Sequence, residues 1–328
     1  MDLISKLVRR ILKNLFYFIV RKNLFDYSSQ KKLTDISNLG LSKHHTNKKI
    51  GNLILSQAPF LVSRFGWTEL NTLITFERFR QMNYFEKIYE WSITNRYPFS
   101  KQCLSNDLYT KAGFYPINKV SLEKFREIMI SMIPEIDILG SWVNGENNYL
   151  GLMKRIEFCK LEFLEPYLCE KPWSKQLENK KVLVIHPFTD TIQNQYENKR
   201  EKIFSNNDIL PAFDLKVMKT TFTNGKLEKD FNWFEKLESM FLEATSFEFD
   251  IAIIGCGSYG LPLAAKLKRH GKQAIHLGGA TQVLFGIKGK RWAENPVFRK
   301  LFNDYWVYPS LDEIPITAKR IDNACYWK

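Results

Sequence analysis

The chain has 328 residues, 45% hydrophobic and 25% charged, a balance that excludes wholesale disorder and collagen-like repetition and suits one large domain or two medium ones. No uninterrupted apolar run approaches the roughly 18 residues that span a bilayer, so a polytopic membrane protein is excluded, and five scattered cysteines without a CxxC pair argue for free thiols in a reducing compartment rather than a disulfide scaffold or zinc ribbon. The net charge of +13 is uneven: residues 1–50 hold eleven Lys and Arg against three acids, and the nearly neutral remainder lacks the basic face of a nucleic-acid-binding protein.

At the N-terminal end Leu3, Ile4, Leu7, Val8, Ile11, Leu12, Leu15, Phe16 and Ile19 recur at steps of three and four, flanked by Lys6, Arg9, Arg10 and Lys13. This predicts a basic amphipathic helix over residues 1–22, suited to the surface of an anionic membrane, where each cation adds on the order of 1 kcal/mol. The alternative is a helix docked on the domain core. No small-residue cleavage site follows, so it does not read as a signal peptide. Residues 23–50 read as a polar, basic tether, and 51–328 as an α/β domain whose one candidate sub-boundary falls near 170–180. Deleting residues 1–22 is expected to move the protein from the membrane pellet to the supernatant; a wild type already wholly soluble in cell extracts would refute the attachment.

Further along, residues 60–66 read as a short buried strand ending at Gly66, and 67–82 as a helix. Residues 84–120 show no clear period. A helix is expected over 120–133, opened by Ser121, then a strand over 136–143, a polar loop at 144–148 and a helix over 150–168. The second half alternates: strand 181–185, helix 191–204, strand 215–220, helix 232–244, strand 250–254, helix 261–270, strand 273–277. Such alternation predicts a mostly parallel, Rossmann-like sheet with helices on both faces.

Between the strand at 250–254 and its following helix lies a GxGxxG turn, Gly255-Cys256-Gly257-Ser258-Tyr259-Gly260. Its glycines permit a tight turn, a close backbone approach to phosphate and close helix–sheet contact. A dinucleotide site also needs an acid at the end of the next strand, and that strand ends in His276, Gly278 and Gly279. NAD is therefore not expected. Another phosphate-bearing ligand fits better, with glycines serving packing alone as the alternative. The loop from Gly278 to Trp292 then offers Lys288, Lys290 and Arg291 to neutralise phosphate and Trp292 to stack on a sugar or base, including that of an acceptor; otherwise it is a solvated basic loop. His186 closes the strand at 181–185, where sites form in open α/β sheets, and is a candidate general base for an acceptor hydroxyl, or a loop histidine paired to a carbonyl. Glu146, in the 144–148 loop, is a candidate acceptor contact.

Two segments together resemble bacterial glycosyltransferases of the GT-D fold type. Phe60-Leu-Val-Ser-Arg64-Phe-Gly66-Trp67-Thr68-Glu69-Leu70 is similar to that family's early strand and Arg-[Phe/Ile]-Gly-Asp-Gly-Glu turn. Asp250 to Gly286 is similar to its later strand, Gly-rich turn and Ala/Leu helix. The resemblance spans about a quarter of the chain and implies transfer of a sugar from a nucleotide-sugar donor to a glycan or lipid-linked acceptor in surface-polysaccharide synthesis, by a cytoplasmic enzyme peripheral on the inner face of the membrane. It further implies donor contacts from Arg64 and Gly66, and a role for Glu69 in catalysis and in binding Mn2+ or Mg2+. The chain departs from the pattern at Trp67, where Asp is expected, and at Thr68, where Gly is, so metal dependence stays open. Two other readings remain: a Rossmann-type NAD(P)-dependent oxidoreductase acting on a nucleotide sugar, and a non-catalytic nucleotide-binding scaffold.

Overall fold

The structure, a computed structural model, describes residues 40–84, 87, 104–220 and 232–328. The helix expected over 1–22 and residues 23–39 of the expected tether lie outside them.

Residues 40–50, read as the end of a tether, instead begin the domain. Helix α1 (Lys43–Leu55) is capped by Ser42 and turns Thr46, Asn47, Ile50 and Ile54 inward. Asn47 explains why so polar a segment docks. Its amide donates to Phe163 O (3.3 Å) and its Oδ1 accepts from Trp173 N (3.0 Å), contacts no local pattern announces. Next come β1 (Leu61–Ser63), α2 (Trp67–Gln81), α3 (Leu104–Ala112) and α4 (Lys119–Met132). The cap of α4 is Asn118, whose side chain accepts from Ser121 N, rather than Ser121 itself.

After β2 (Ile138–Ser141), the helix expected over 150–168 is absent. A 3₁₀ turn covers Glu146–Leu152, β3 spans Glu157–Lys160, and two 3₁₀ turns follow at Leu161–Leu164 and Pro166–Leu168. Pro166 has no N–H to continue a helix, and the four residues of β3 pair in register with the four of β2. The second half keeps the expected rhythm: β4 (Lys181–His186), α5 (Thr189–Ile203), β5 (Asp214–Lys219), α6 (Trp233–Ser246), β6 (Ile251–Ile254), α7 (Gly260–Arg269) and β7 (Gln273–His276).

The seven strands of the described residues form one parallel sheet in the order β3-β2-β1-β7-β6-β4-β5. The expected α/β class, with a Rossmann-like parallel sheet, is the one the chain adopts. The sheet joins strands from both sides of 170–180, so the described residues do not divide there. Alternate side chains feed opposite faces: Leu183 and Ile185 pack with α2, α4, α6 and α7, while Val182 and Val184 pack with α1 and α5. Each fully buried Leu, Ile or Phe contributes about 1.5–3 kcal/mol relative to exposure. Among the described residues no helix is long and apolar enough to cross a membrane, and Cys159, Cys169, Cys256 and Cys325 are free thiols.

The topology decides where a ligand can sit. From β1 the chain steps outward to β2 and β3, then crosses to β4 and returns through β6 to β7 beside β1. Connections leave in opposite senses around the middle of the sheet, which opens a crevice at the carboxyl ends of these strands.

A candidate active site at the carboxyl edge of the sheet

The ends of four adjacent strands meet in one cleft. Arg64 follows β1, His186 ends β4, Gly255 follows β6 and His276 ends β7, and all four line it. Gly66, Trp67, Thr68 and Glu69 enter from the start of α2, and Lys111 from the end of α3. Of the residues that sequence singled out, Gly257, Tyr259, Gly278, Gly279 and Arg291 also line the cleft. The cleft encloses ≈ 170 Å³ and is open at its mouth.

Arg64 carries its charge in a crowded setting. Its guanidinium lies 4.4 Å from the centre of the Trp142 ring, and its Nε donates to Phe65 O (3.3 Å). Burial works against the charge, Tyr326, Glu69 and Glu165 work for it, and Arg291 works against it, with a net lowering that leaves an arginine still protonated at neutral pH. Glu69 stands in the first turn of α2 and curls back over Gly66, where a Cβ would lie 2.0 Å from its Oε2. Burial raises its carboxyl above the usual range, against the pull of its own backbone N–H and of Arg64. A carboxylate so placed is a stronger base than an exposed one.

His186 is not the general base that its position suggested. Phe188 N donates to its Nδ1 (3.1 Å), so the neutral ring carries its proton on Nε2. Burial holds its pKa down to about 3, and the ring is a neutral donor with no lone pair left to take a proton at pH 7. His276 is likewise held to about 3 by burial and by the nearby Arg64, with its Nδ1 3.0 Å from Ser63 Oγ.

The glycine turn has a specific reason for each member. Gly257 has φ +59°, a left-handed conformation that favours glycine. Gly260 makes room for His276, whose Nε2 would lie 2.2 Å from a Cβ there. At Gly255 a Cβ would lie 2.5 Å from Gly278 O, a backbone atom that cannot rotate away. Alanine at Gly255 is expected to cost about 1–3 kcal/mol of stability, read as a lower Tm. An unchanged Tm would mean the turns after β6 and β7 do not abut.

Several expected contacts lie elsewhere. Ser258 is buried and donates to Ala112 O while accepting from Trp233 Nε1 (2.9 Å), so it fastens α3 and α6 to the turn. Lys288 lies near Phe302 and Tyr308, and neither it nor Lys290 lines the cleft. Trp292, offered as a stacking ring, is buried beside Gly289 and Tyr326. Glu146 is buried too, accepting from Ser141 Oγ and from the backbone of Trp142 (3.2 Å) and Val143 (3.0 Å). It therefore holds the turn that carries Trp142 and does not line the cleft.

Sequence reasoning missed Lys111, Trp142, Gln282 and Tyr326. Trp142 is 44% exposed at the cleft. Gln282 donates to Lys288 O (3.0 Å) and Tyr326 O (3.3 Å), while its Oε1 is without a hydrogen-bond partner. Tyr326 covers Gly279, where a Cβ would lie 2.5 Å from its ring. Only an exposed Trp directly after a strand carried a local signal.

Glu165, behind the cleft, was also missed. Burial raises its carboxyl to about 7, opposed by a hydrogen bond with Tyr167 and by Arg64, and its Oε2 has no partner. The ordinary value is 4.5, so the unfolded chain ionises first as pH rises and stability is lost between about pH 4.5 and 7. Glu165→Gln is expected to be about 3 kcal/mol more stable than wild type at pH 8 and equal to it at pH 4, by denaturant melts. Parallel curves at both pH values would refute this.

The metal that the resemblance implied does not fit the donor set. Among the described residues no three His, Cys, Asp or Glu cluster to hold a metal ion, and Glu69, which faces Arg64, is the only carboxylate lining the cleft. A hard divalent cation takes several oxygen ligands; Trp67, 49% exposed, stands where a second carboxylate would be.

No family model and no curated protein matches the chain. Two solved structures align over most of it. One is a selenomethionine-substituted domain of unknown function 1792, at 11% identity over 73% of this chain and 83% of that one, with a TM-score of 0.37. The other is the same kind of domain, described as having a distinct glycosyltransferase fold, at 12% identity over 72% and 82%, with a TM-score of 0.36. Likeness this loose says nothing of family, substrate or chemistry.

Proposed function

We propose that the chain is a glycosyltransferase that binds the diphosphate of a nucleotide-sugar donor in this cleft and passes the sugar to a hydroxyl of a glycan or lipid-linked acceptor. The observation that carries the proposal is the meeting of Arg64, Arg291 and the neutral His186 at one sheet edge, against a single carboxylate. Three cations (with Lys111) and one carboxylate line the cleft, so it favours an anion.

In the reaction the bond between the anomeric carbon and the diphosphate oxygen breaks, and its electron pair leaves with the nucleoside diphosphate. Arg64 and Arg291 stabilise that growing negative charge, and His186 Nε2–H is a further donor to it. The acceptor oxygen forms the new bond to the anomeric carbon, and its proton goes to Glu69. The exposed rings of Trp67 and Trp142 flank the mouth, where the sugar would lie. The apolar stripe of residues 1–22, with its flanking cations, would keep the enzyme on an anionic, cytoplasmic membrane face, near a lipid-linked substrate of surface-polysaccharide synthesis.

Thermal unfolding with a panel of nucleotides tests the assignment. A Tm rise with a nucleoside diphosphate is expected. A rise only with NAD(P) would replace the transferase by an oxidoreductase, and no rise with any nucleotide would leave a scaffold whose nucleotide site is degenerate.

A further inference from the structure

Two guanidinium groups line the cleft, near enough that the charge of Arg291 acts against that of Arg64, and each is backed by an aromatic ring. Arg64 lies 4.4 Å from the centre of Trp142, and Arg291 lies 5.1 Å from the centre of Tyr326. The second pair is held by the backbone, since Arg291 N donates to Cys325 O (3.0 Å) and Lys290 N to Trp327 O (2.7 Å). Tyr326 in turn covers Gly279, beside the turn that faces Arg64. Bringing like charges together costs energy, and an anion between them recovers it. Planar guanidinium forks held on rings are suited to the paired oxygens of a diphosphate.

We infer that the cleft holds a diphosphate without a divalent cation, Arg291 on its Tyr326 platform supplying the second positive charge beside Arg64. This rests on the proposed diphosphate site and extends it to the means of neutralisation. The inference comes from the donor set: one carboxylate facing an arginine, two imidazoles whose Nδ1 atoms are engaged, and two stacked guanidiniums.

Isothermal titration of the full chain with inorganic pyrophosphate, in EDTA and then in excess Mn2+, tests it, followed by titration with nucleoside diphosphates. Pyrophosphate is expected to bind in EDTA, with an affinity that Mn2+ changes less than threefold. Arg291→Ala is expected to weaken it at least tenfold, and Arg291→Lys, which keeps the charge and loses the fork, about threefold. Unchanged unfolding curves without ligand would show that both variants keep the fold. Binding that needs Mn2+, no pyrophosphate binding in either buffer, or wild-type affinity in Arg291→Ala overturns the inference. Metal-dependent binding of a nucleoside diphosphate would sink it while leaving the transferase standing. Metal-free pyrophosphate binding with no response to any nucleoside diphosphate would do the reverse.

Discussion

Alanine at Arg64 is expected to weaken the binding of a nucleoside diphosphate about 100-fold, close to 3 kcal/mol. Hydrogen bonds from a charged donor each contribute about 1.5–3 kcal/mol, and a guanidinium gives two in parallel to a phosphate. Removal also strips Glu69 and Glu165 of the cation that favours their ionised forms. Trp142 loses the group stacked on it, although its own Nε1 bond to Phe65 O (2.8 Å) keeps it in place. Arg64→Lys restores the charge without the fork and should recover roughly half of the lost free energy. Titration calorimetry decides: a loss under threefold in Arg64→Ala would remove the central residue of the proposed site.

The second large effect is on acid stability. His186 and His276 are both held near pKa 3 in the folded protein against 6.5 unfolded. Their stabilisation is full above pH 6.5 and is lost as pH falls, because the unfolded chain takes up protons that the fold refuses. Between pH 7 and 5 each costs about 2 kcal/mol, or about 4 kcal/mol together. Glu165 works the other way over the same interval, since its raised value makes the fold relatively more stable on acidification. Wild type should therefore lose only about half of the 4 kcal/mol by pH 5, and then fall steeply below pH 4.5, where Glu165 is protonated in both states. In Glu165→Gln the full loss should appear from pH 6.5 downward. Urea melts at half-unit pH steps separate the contributions: a wild type and variant that decline together would contradict the Glu165 environment, and a variant that holds its stability from pH 6.5 to 5 would contradict those of the histidines.

The parts legible in sequence were those whose signal is local. Continuous apolar runs marked β4 and β6 because a central parallel strand is buried on both faces. The glycines at 255, 257 and 260 pointed to a turn between strand and helix, and Arg64 and Glu69 were found at the mouth of another. What failed depended on distant partners. Helix α1 looked like a tether because its docking rests on Asn47 meeting Trp173 and Phe163. Strand β3 looked helical because its reasons to extend are distant ones, the edge of β2 on one side and Leu41, which bridges to Cys159, on the other. His186 was placed correctly at a strand end, but the sense of its chemistry was set by one backbone N–H two residues on. Glu146 and Trp292 had suitable side chains for a site and were spent on packing.

The pairing of β1 with β7 matches Leu61 with Ala274 and Val62 with Ile275, stretches from opposite ends of the described chain. Closing so long a loop makes this seam slow to zip during folding. Arg64 and the Gly278 turn sit on its two lips, so the binding centre comes into being only after the sheet's middle has been filled. A bound nucleotide touching both lips would act as a rivet, and its grip would be felt as slower amide exchange along β1 and β7 than along β5 at the far margin.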